Sequence, residues 1–211
     1  MRCNPRVLVT GFSAFPGAPV NPTERLIAEL AARDSQLQEA GALSFAVLDV
    51  DYAKLPVMLG EFAKVEQPDI AIHFGLSAEA HGFTLERCAR NIRGPKPDNI
   101  GHVPVEGRIC AGPDILASTL PLERLHAALV RHGLPVSWSD DAGGYLCNYL
   151  FYLSRSEAMA EFAPEMSGFI HVPPLVEDSR ADASAMPLEA LVEGAELIIR
   201  VCAASWNERS A

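Results

Sequence analysis

No stretch of this sequence is apolar for long enough to span a bilayer, and no apolar signal core precedes the first strand-like run. The chain opens instead on Met1-Arg2-Cys3-Asn4-Pro5-Arg6, so a cytoplasmic location is expected and a membrane partner is not. Positive charge is also scarce. Lys and Arg number 17 against 27 Asp and Glu, a formal net charge of −10, which argues against nucleic acid as a partner. Cysteine is sparse and scattered over positions 3, 88, 110, 147 and 202, an odd number with no CxxC pair. That pattern argues against both a disulfide framework and a structural zinc site. No Gly-x-Gly-x-x-Gly or Walker sequence occurs, so nucleotide binding has no positive support. Repeats, low-complexity tracts and a dividing linker are absent as well. The 211 residues are expected to form one domain, 1–211, with a sizeable core.

What is present is an alternation of strands and helices. Arg6 to Thr10 is an apolar run ending at Gly11, as in a buried parallel strand. Phe12 to Pro19 follows as a loop carrying two phenylalanines, Phe12 and Phe15. At the carboxyl edge of an open α/β sheet these could wall a pocket or close the core from above. Asn21-Pro22-Thr23-Glu24 opens a helix: Asn21 suits the N-cap, Pro22 the first position, and Glu24 can reach back to the cap. That helix is expected to run to about Ala40. Strands are expected at Leu43–Val50, Ile70–Phe74, Leu134–Ser139 and Gly168–Pro173, and helices at Ala53–Val65, Pro121–His132 and Met186–Trp206. Thr84 to Asn91 reads as extended, and 91–112 as a long polar excursion fit for a lid, a binding loop or an oligomer contact. The pattern predicts an α/β fold, a single-domain α/β/α sandwich around a mostly parallel twisted sheet.

One stretch concentrates the chemistry. Ser137 to Leu153 reads strand, Gly143-Gly144 turn, then a helix with Leu146, Tyr149, Leu150 and Leu153 on one face, expected to last to about Phe162. Cys147 therefore falls in the first turn of a helix that follows a strand. Aligned backbone N–H groups there favour an anion and bias a thiol toward thiolate. The competing reading is a small buried apolar cysteine. A thiolate nucleophile needs a base and something to orient it. His171 ends a predicted buried strand at the edge that also holds the turn before Cys147. His73, inside a strand, and His102, in the polar excursion, compete for the role. Glu86 could orient the imidazole, although Glu86-Arg87 taken alone reads as a surface ion pair. Cys147, His171 and Glu86 are compatible metal-ligand types without local ligand spacing, so no metal is expected.

Four ordered motifs resemble the pyroglutamyl peptidases, cysteine peptidases also called pyrrolidone-carboxylate peptidases. They are Val7-Leu8-Val9-Thr10-Gly11-Phe12-Ser13-Ala14-Phe15 with Asn21-Pro22-Thr23; Glu86-Arg87-Cys88-Ala89-Arg90-Asn91; Ser139-Asp140-Asp141-Ala142-Gly143-Gly144-Tyr145-Leu146-Cys147-Asn148; and Gly168-Phe169-Ile170-His171-Val172-Pro173. The resemblance implies Cys147 as nucleophile, His171 as general acid and base, Glu86 as its orienting group, and Phe12 and Phe15 sandwiching the lactam ring. It implies small peptides with an amino-terminal pyroglutamyl residue as substrates, no cofactor, and a homo-oligomer, by resemblance a tetramer. Three features depart from the family pattern: Tyr149 in place of a histidine, Leu76 to Gly82 in place of a Gly-Gly-Arg-like loop, and Asp51 near the expected lactam pocket. They leave two other expectations standing beside peptidase action, a related amidase of altered specificity and a catalytically weak binding relative.

Overall fold

Val7, Leu8 and Val9 are buried on both faces of their strand, as the apolar run requires when helices cover a sheet from two sides. In the computed structural model, which describes residues 4–177 and 184–209, this strand is β1 (Arg6–Phe12). It pairs in parallel with β2 (Ala42–Leu48) on one side and β3 (Ile70–Leu76) on the other. Beyond β3 lies β8 (Met166–Val172), again parallel. Two short strands complete the sheet, β4 (Phe83–Glu86) and β7 (Val136–Ser139), giving the order β2-β1-β3-β8-β4-β7. β4 runs antiparallel to β8 and parallel to β7, so these last two strands point the opposite way from the other four. A separate antiparallel pair, β5 (Cys88–Arg90) and β6 (Ile115–Ala117), lies outside the main sheet.

The helices divide between the two faces. α1 (Pro22–Ala32), α3 (Leu122–Arg131) and α5 (Leu188–Arg209) pack their apolar residues into one core layer. α2 (Lys54–Val65) and α4 (Leu146–Arg155) supply the other, together with Phe12, Val50, Tyr52 and Phe169. This is the single-domain α/β/α sandwich with a mostly parallel sheet that the alternation predicts.

Several boundaries moved. The first helix stops at Ala32 rather than near Ala40, and 34–36 and 38–40 are short 3-10 turns. Asp34 and Ser35 favour local turns over helix interiors, which accounts for the break. α4 stops at Arg155 rather than near Phe162, because the Ser156 hydroxyl accepts from Ala158 N at 3.1 Å and starts a separate 3-10 turn. The β6 strand within the segment after the excursion was not anticipated. Its three residues carry no readable alternation.

The opening of α1 positions a pocket wall. Asn21 caps it as expected, accepting from Thr23 N at 3.1 Å, and its Nδ2 donates to Ser13 O at 3.0 Å. The Thr23 hydroxyl accepts from Phe12 N at 2.9 Å. Glu24 does not reach back to the cap. Its Oε2 accepts from Ala14 N at 3.0 Å instead, so both residues hold the phenylalanine loop rather than only the helix end.

Candidate active site

Gly143-Gly144 lets the chain reverse between β7 and α4. Gly143 has φ of +81°, a conformation open to glycine at little cost. Because β7 runs against the main strands, its carboxyl end points away from the edge carrying His171. The turn after it brings α4 back. Tyr145 is the N-cap and makes no side-chain capping bond, and Tyr149 N donates to Tyr145 O at 3.0 Å as the first helical bond. The N–H groups of Leu146, Cys147 and Asn148 thus have no intrahelical partner and face where an anion would be stabilised.

Cys147 Sγ lies over Gly75. A Cβ at Gly75 would stand 3.0 Å from that sulfur and 2.6 Å from Phe169 Cζ, so only glycine lets α4 approach β3 this closely. Gly75 is in register with His171 on β8. The His171 Nδ1 is 2.7 Å from Glu86 Oε1, and the two residues are 7% and 1% exposed. Burial pulls the imidazole pKa down, but hydrogen bonds and charge from Cys147 and from Glu86 outweigh it and push it up to about 10. Its two neighbours thus favour the protonated form of the His171 ring. Glu86 is not half of a surface ion pair with Arg87. Arg87 is exposed and pairs with Asp140, while alternation sends Glu86 inward.

The rival histidines do not reach this cluster. His73 is fully buried, its Nδ1 is 2.8 Å from Thr10 Oγ1, and burial lowers its pKa to about 3. His102 is exposed, and its backbone N–H donates to Asp98. Among the described residues, no three His, Cys, Asp or Glu side chains gather as a metal-ligand set.

Cys147, His171 and Glu86 line a cleft of about 550 Å³. Phe12 and Phe15 line it too, with Val50, Leu146 and Tyr145 completing an apolar end. Tyr145 was not singled out from the sequence. Its ring lies 6.3 Å from that of Phe15, Lys96 Nζ sits 4.5 Å from its centroid, and its hydroxyl donates to Pro97 O at 2.9 Å. The excursion is thereby drawn over the cleft. Asn148 anchors its start, accepting from Arg90 N at 2.8 Å and donating to Arg90 O and Ile92 O, each at 2.8 Å. A polar residue on the buried face of α4 was the available signal for this clamp.

The residues that depart from the expected pattern lie away from the cleft, apart from the loop before β4. Asp51 Oδ1 accepts from Ala53 N at 2.8 Å and Lys54 N at 3.2 Å, so its carboxylate serves the start of α2 and is not a cleft-lining group. Tyr149 packs edge-on against Tyr52 at 5.2 Å in the core layer under α2 and α4. Leu76, Ser77, Glu79, Ala80 and His81 do line the cleft.

A model of the pyroglutamyl peptidase family matches residues 5–205. The chain belongs to the pyroglutamyl peptidase family. Members of this family are cysteine peptidases, and this chain is one of them. It is 39% identical over 175 residues to a pyrrolidone-carboxylate peptidase of Pyrococcus furiosus, covering 82% of each chain. To that of Vibrio vulnificus it is 34% identical over 200 residues, covering 93% of this chain and 92% of the relative. Among solved structures, a mutant pyrrolidone carboxyl peptidase of P. furiosus superimposes with a TM-score of 0.84 at 33% identity, covering 95% and 99% of the two chains. The enzyme of Thermus thermophilus gives 0.81 at 33% identity, with 92% and 98% covered.

Proposed function

We propose that this protein removes amino-terminal pyroglutamate from small peptides, with Cys147 as nucleophile, His171 as general acid and base, and Glu86 orienting and charging the imidazole. The observation that carries this reading is the buried Glu86–His171 contact of 2.7 Å with Cys147 as the second partner of the same ring, at one end of an aromatic-walled cleft. Phe12 and Phe15 receive the flat, uncharged lactam ring, which suits aromatic walls.

The thiolate of Cys147 attacks the carbonyl carbon that joins pyroglutamate to the next residue. Charge passes to the carbonyl oxygen, which the free N–H groups at the start of α4 receive. The C–N bond breaks as His171 gives its proton to the departing amine, leaving a thioester and a neutral imidazole. His171 then takes a proton from water, the resulting hydroxide adds to the thioester, and collapse expels the thiolate beside a restored imidazolium. No cofactor enters these steps.

The 211 residues act as one peptidase domain. Both core layers share the single main sheet, which supports that reading. The working form is a cytoplasmic homo-oligomer, a tetramer by family likeness. Free Cys88, Cys110 and Cys202 beside Cys147 fit a reducing compartment, and exposed Ile92, Ile100, Val103 and Val105 on the excursion offer apolar area for a second copy. Cys3 lies outside the described residues. Among those residues, no helix is long and apolar enough to cross a membrane.

The test is hydrolysis of a pyroglutamyl amidocoumarin by purified protein, with Cys147→Ala beside it. Turnover by the wild type and its loss in the variant are expected. A silent wild type across neutral pH sinks the substrate reading, and an equally active variant sinks the thiolate mechanism.

A further inference from the structure

Sheet order lays the cleft out as a row. Continuing the β1–β3 register from the Thr10–His73 pair by two residues brings Phe12 level with Gly75. Gly75 is level with His171, His171 with Thr84, and Thr84 with Ser137. Five strands therefore contribute, in order, an aromatic wall, the glycine under Cys147, the imidazole, and two hydroxyls 3.1 Å apart. Phe12, His171, Thr84 and Ser137 all line the cleft. With the lactam against Phe12 and the sulfur over Gly75, the departing amine lies on the far side, over Thr84 and Ser137. From His171 to Ser137 is two strand spacings, about 10 Å, enough for roughly three residues of extended peptide.

Charge is unequal along this row. The cation Lys96 sits over Tyr145 at the lactam end. The loop between β3 and β4, which passes over the end of β8, contributes Glu79 and His81 to the lining of the same cleft, and the loop after β7 contributes Asp141. Asp141 is partly engaged, accepting from Gly143 N at 3.0 Å with Arg90 Nε 3.9 Å away. Glu79 is exposed and lines the same cleft.

We propose that Thr84 and Ser137 form the floor of a subsite for the residue after pyroglutamate, and that Glu79, with Asp141, makes this subsite prefer a cationic side chain. The inference rests on the peptidase reading above and adds to it which substrates are favoured. An Arg or Lys side chain there meets a carboxylate in a half-open site, while an acidic one meets like charge.

The experiment measures kcat/KM for pyroglutamyl-arginine amide, pyroglutamyl-alanine amide and pyroglutamyl-glutamate amide at low and high salt. At low salt the arginine substrate should exceed the glutamate one by about tenfold, a spread that narrows with added salt. Glu79→Gln should shrink the arginine-to-alanine ratio by about threefold, whereas Glu61→Gln on the distant α2 surface should leave it unmoved. Equal kcat/KM for the three peptides, or an unchanged ratio in Glu79→Gln, overturns the subsite. An equal fall with Glu61→Gln assigns the preference to overall charge and overturns it too. Failure of the wild type to cleave even the alanine peptide is a different result, since it removes the peptidase reading itself.

Discussion

Replacing Glu86 by glutamine keeps the shape of the side chain and removes its charge from a buried contact. Glu86 is 1% exposed, and Oε1 lies 2.7 Å from His171 Nδ1. A hydrogen bond to a charged partner contributes about 1.5–3 kcal/mol. At 1.4 kcal/mol per factor of ten, Glu86→Gln should lower kcat/KM by roughly 10- to 150-fold. The loss should fall mainly on kcat, since the role proposed for Glu86 is exerted through His171 on the reacting atoms. The pH profile carries a second signature. Burial lowers the His171 pKa, while Cys147 and Glu86 raise it and prevail, so the imidazolium persists up to about pH 10. Removing one raising partner must lower that value, and the alkaline limb of activity should move toward neutrality.

Stability follows the same sign. A histidine whose pKa is raised by folding contributes stability that is complete below its ordinary pKa and fades as pH rises through the folded value. In Glu86→Gln that contribution should be smaller, and its fading should be complete at lower pH than in the wild type. The assays are steady-state hydrolysis of a pyroglutamyl amidocoumarin across the alkaline range and thermal unfolding over the same range. Activity within twofold of wild type, with an unmoved alkaline limb, would refute the assignment of Glu86 to the imidazole. A rise in KM alone would refute it as well.

Two further substitutions test how the cleft is held. Gly75→Ala should nearly abolish turnover and lower stability by about 1–3 kcal/mol, because the new methyl must displace Phe169 and the Cys147 sulfur; active-site thiol alkylation kinetics together with thermal unfolding check it. Asp51→Ala should cost about 1 kcal/mol of stability through the lost cap at α2 while leaving KM for the pyroglutamyl amide unchanged, and a shifted KM would return Asp51 to the pocket.

Local pattern carried the parts of this protein whose causes are local. Apolar runs located β1, β3 and β8, helical spacing located α2, α3 and α5, and Asn21-Pro22-Thr23 marked the start of α1 correctly. Where short polar side chains compete with the helix, at Asp34-Ser35 and at Ser156, periodicity overran the true ends. The catalytic candidates divide along the same line. The Gly-Gly turn and helix start that place Cys147 are contiguous, so its position in a first turn was legible from the residues. Glu86 was not, since its burial depends on a partner 85 residues away, and alone it resembled a surface charge.

The sequence by itself determined most of the strands and helices, though not β6, that Cys147 opens a helix, and, through four ordered motifs, which family the chain joins. Tertiary structure decided that β4 and β7 run against the other strands, that Glu86 turns inward to His171, and that the Asp51 carboxylate serves the start of α2 and does not line the cleft. It also aligned Phe12, Gly75, His171, Thr84 and Ser137 into one row. Strand direction and register are set by which faces bury together and by hydrogen bonds between distant segments. Neither leaves a periodic trace within any one segment, and so the cleft existed only once the sheet was assembled.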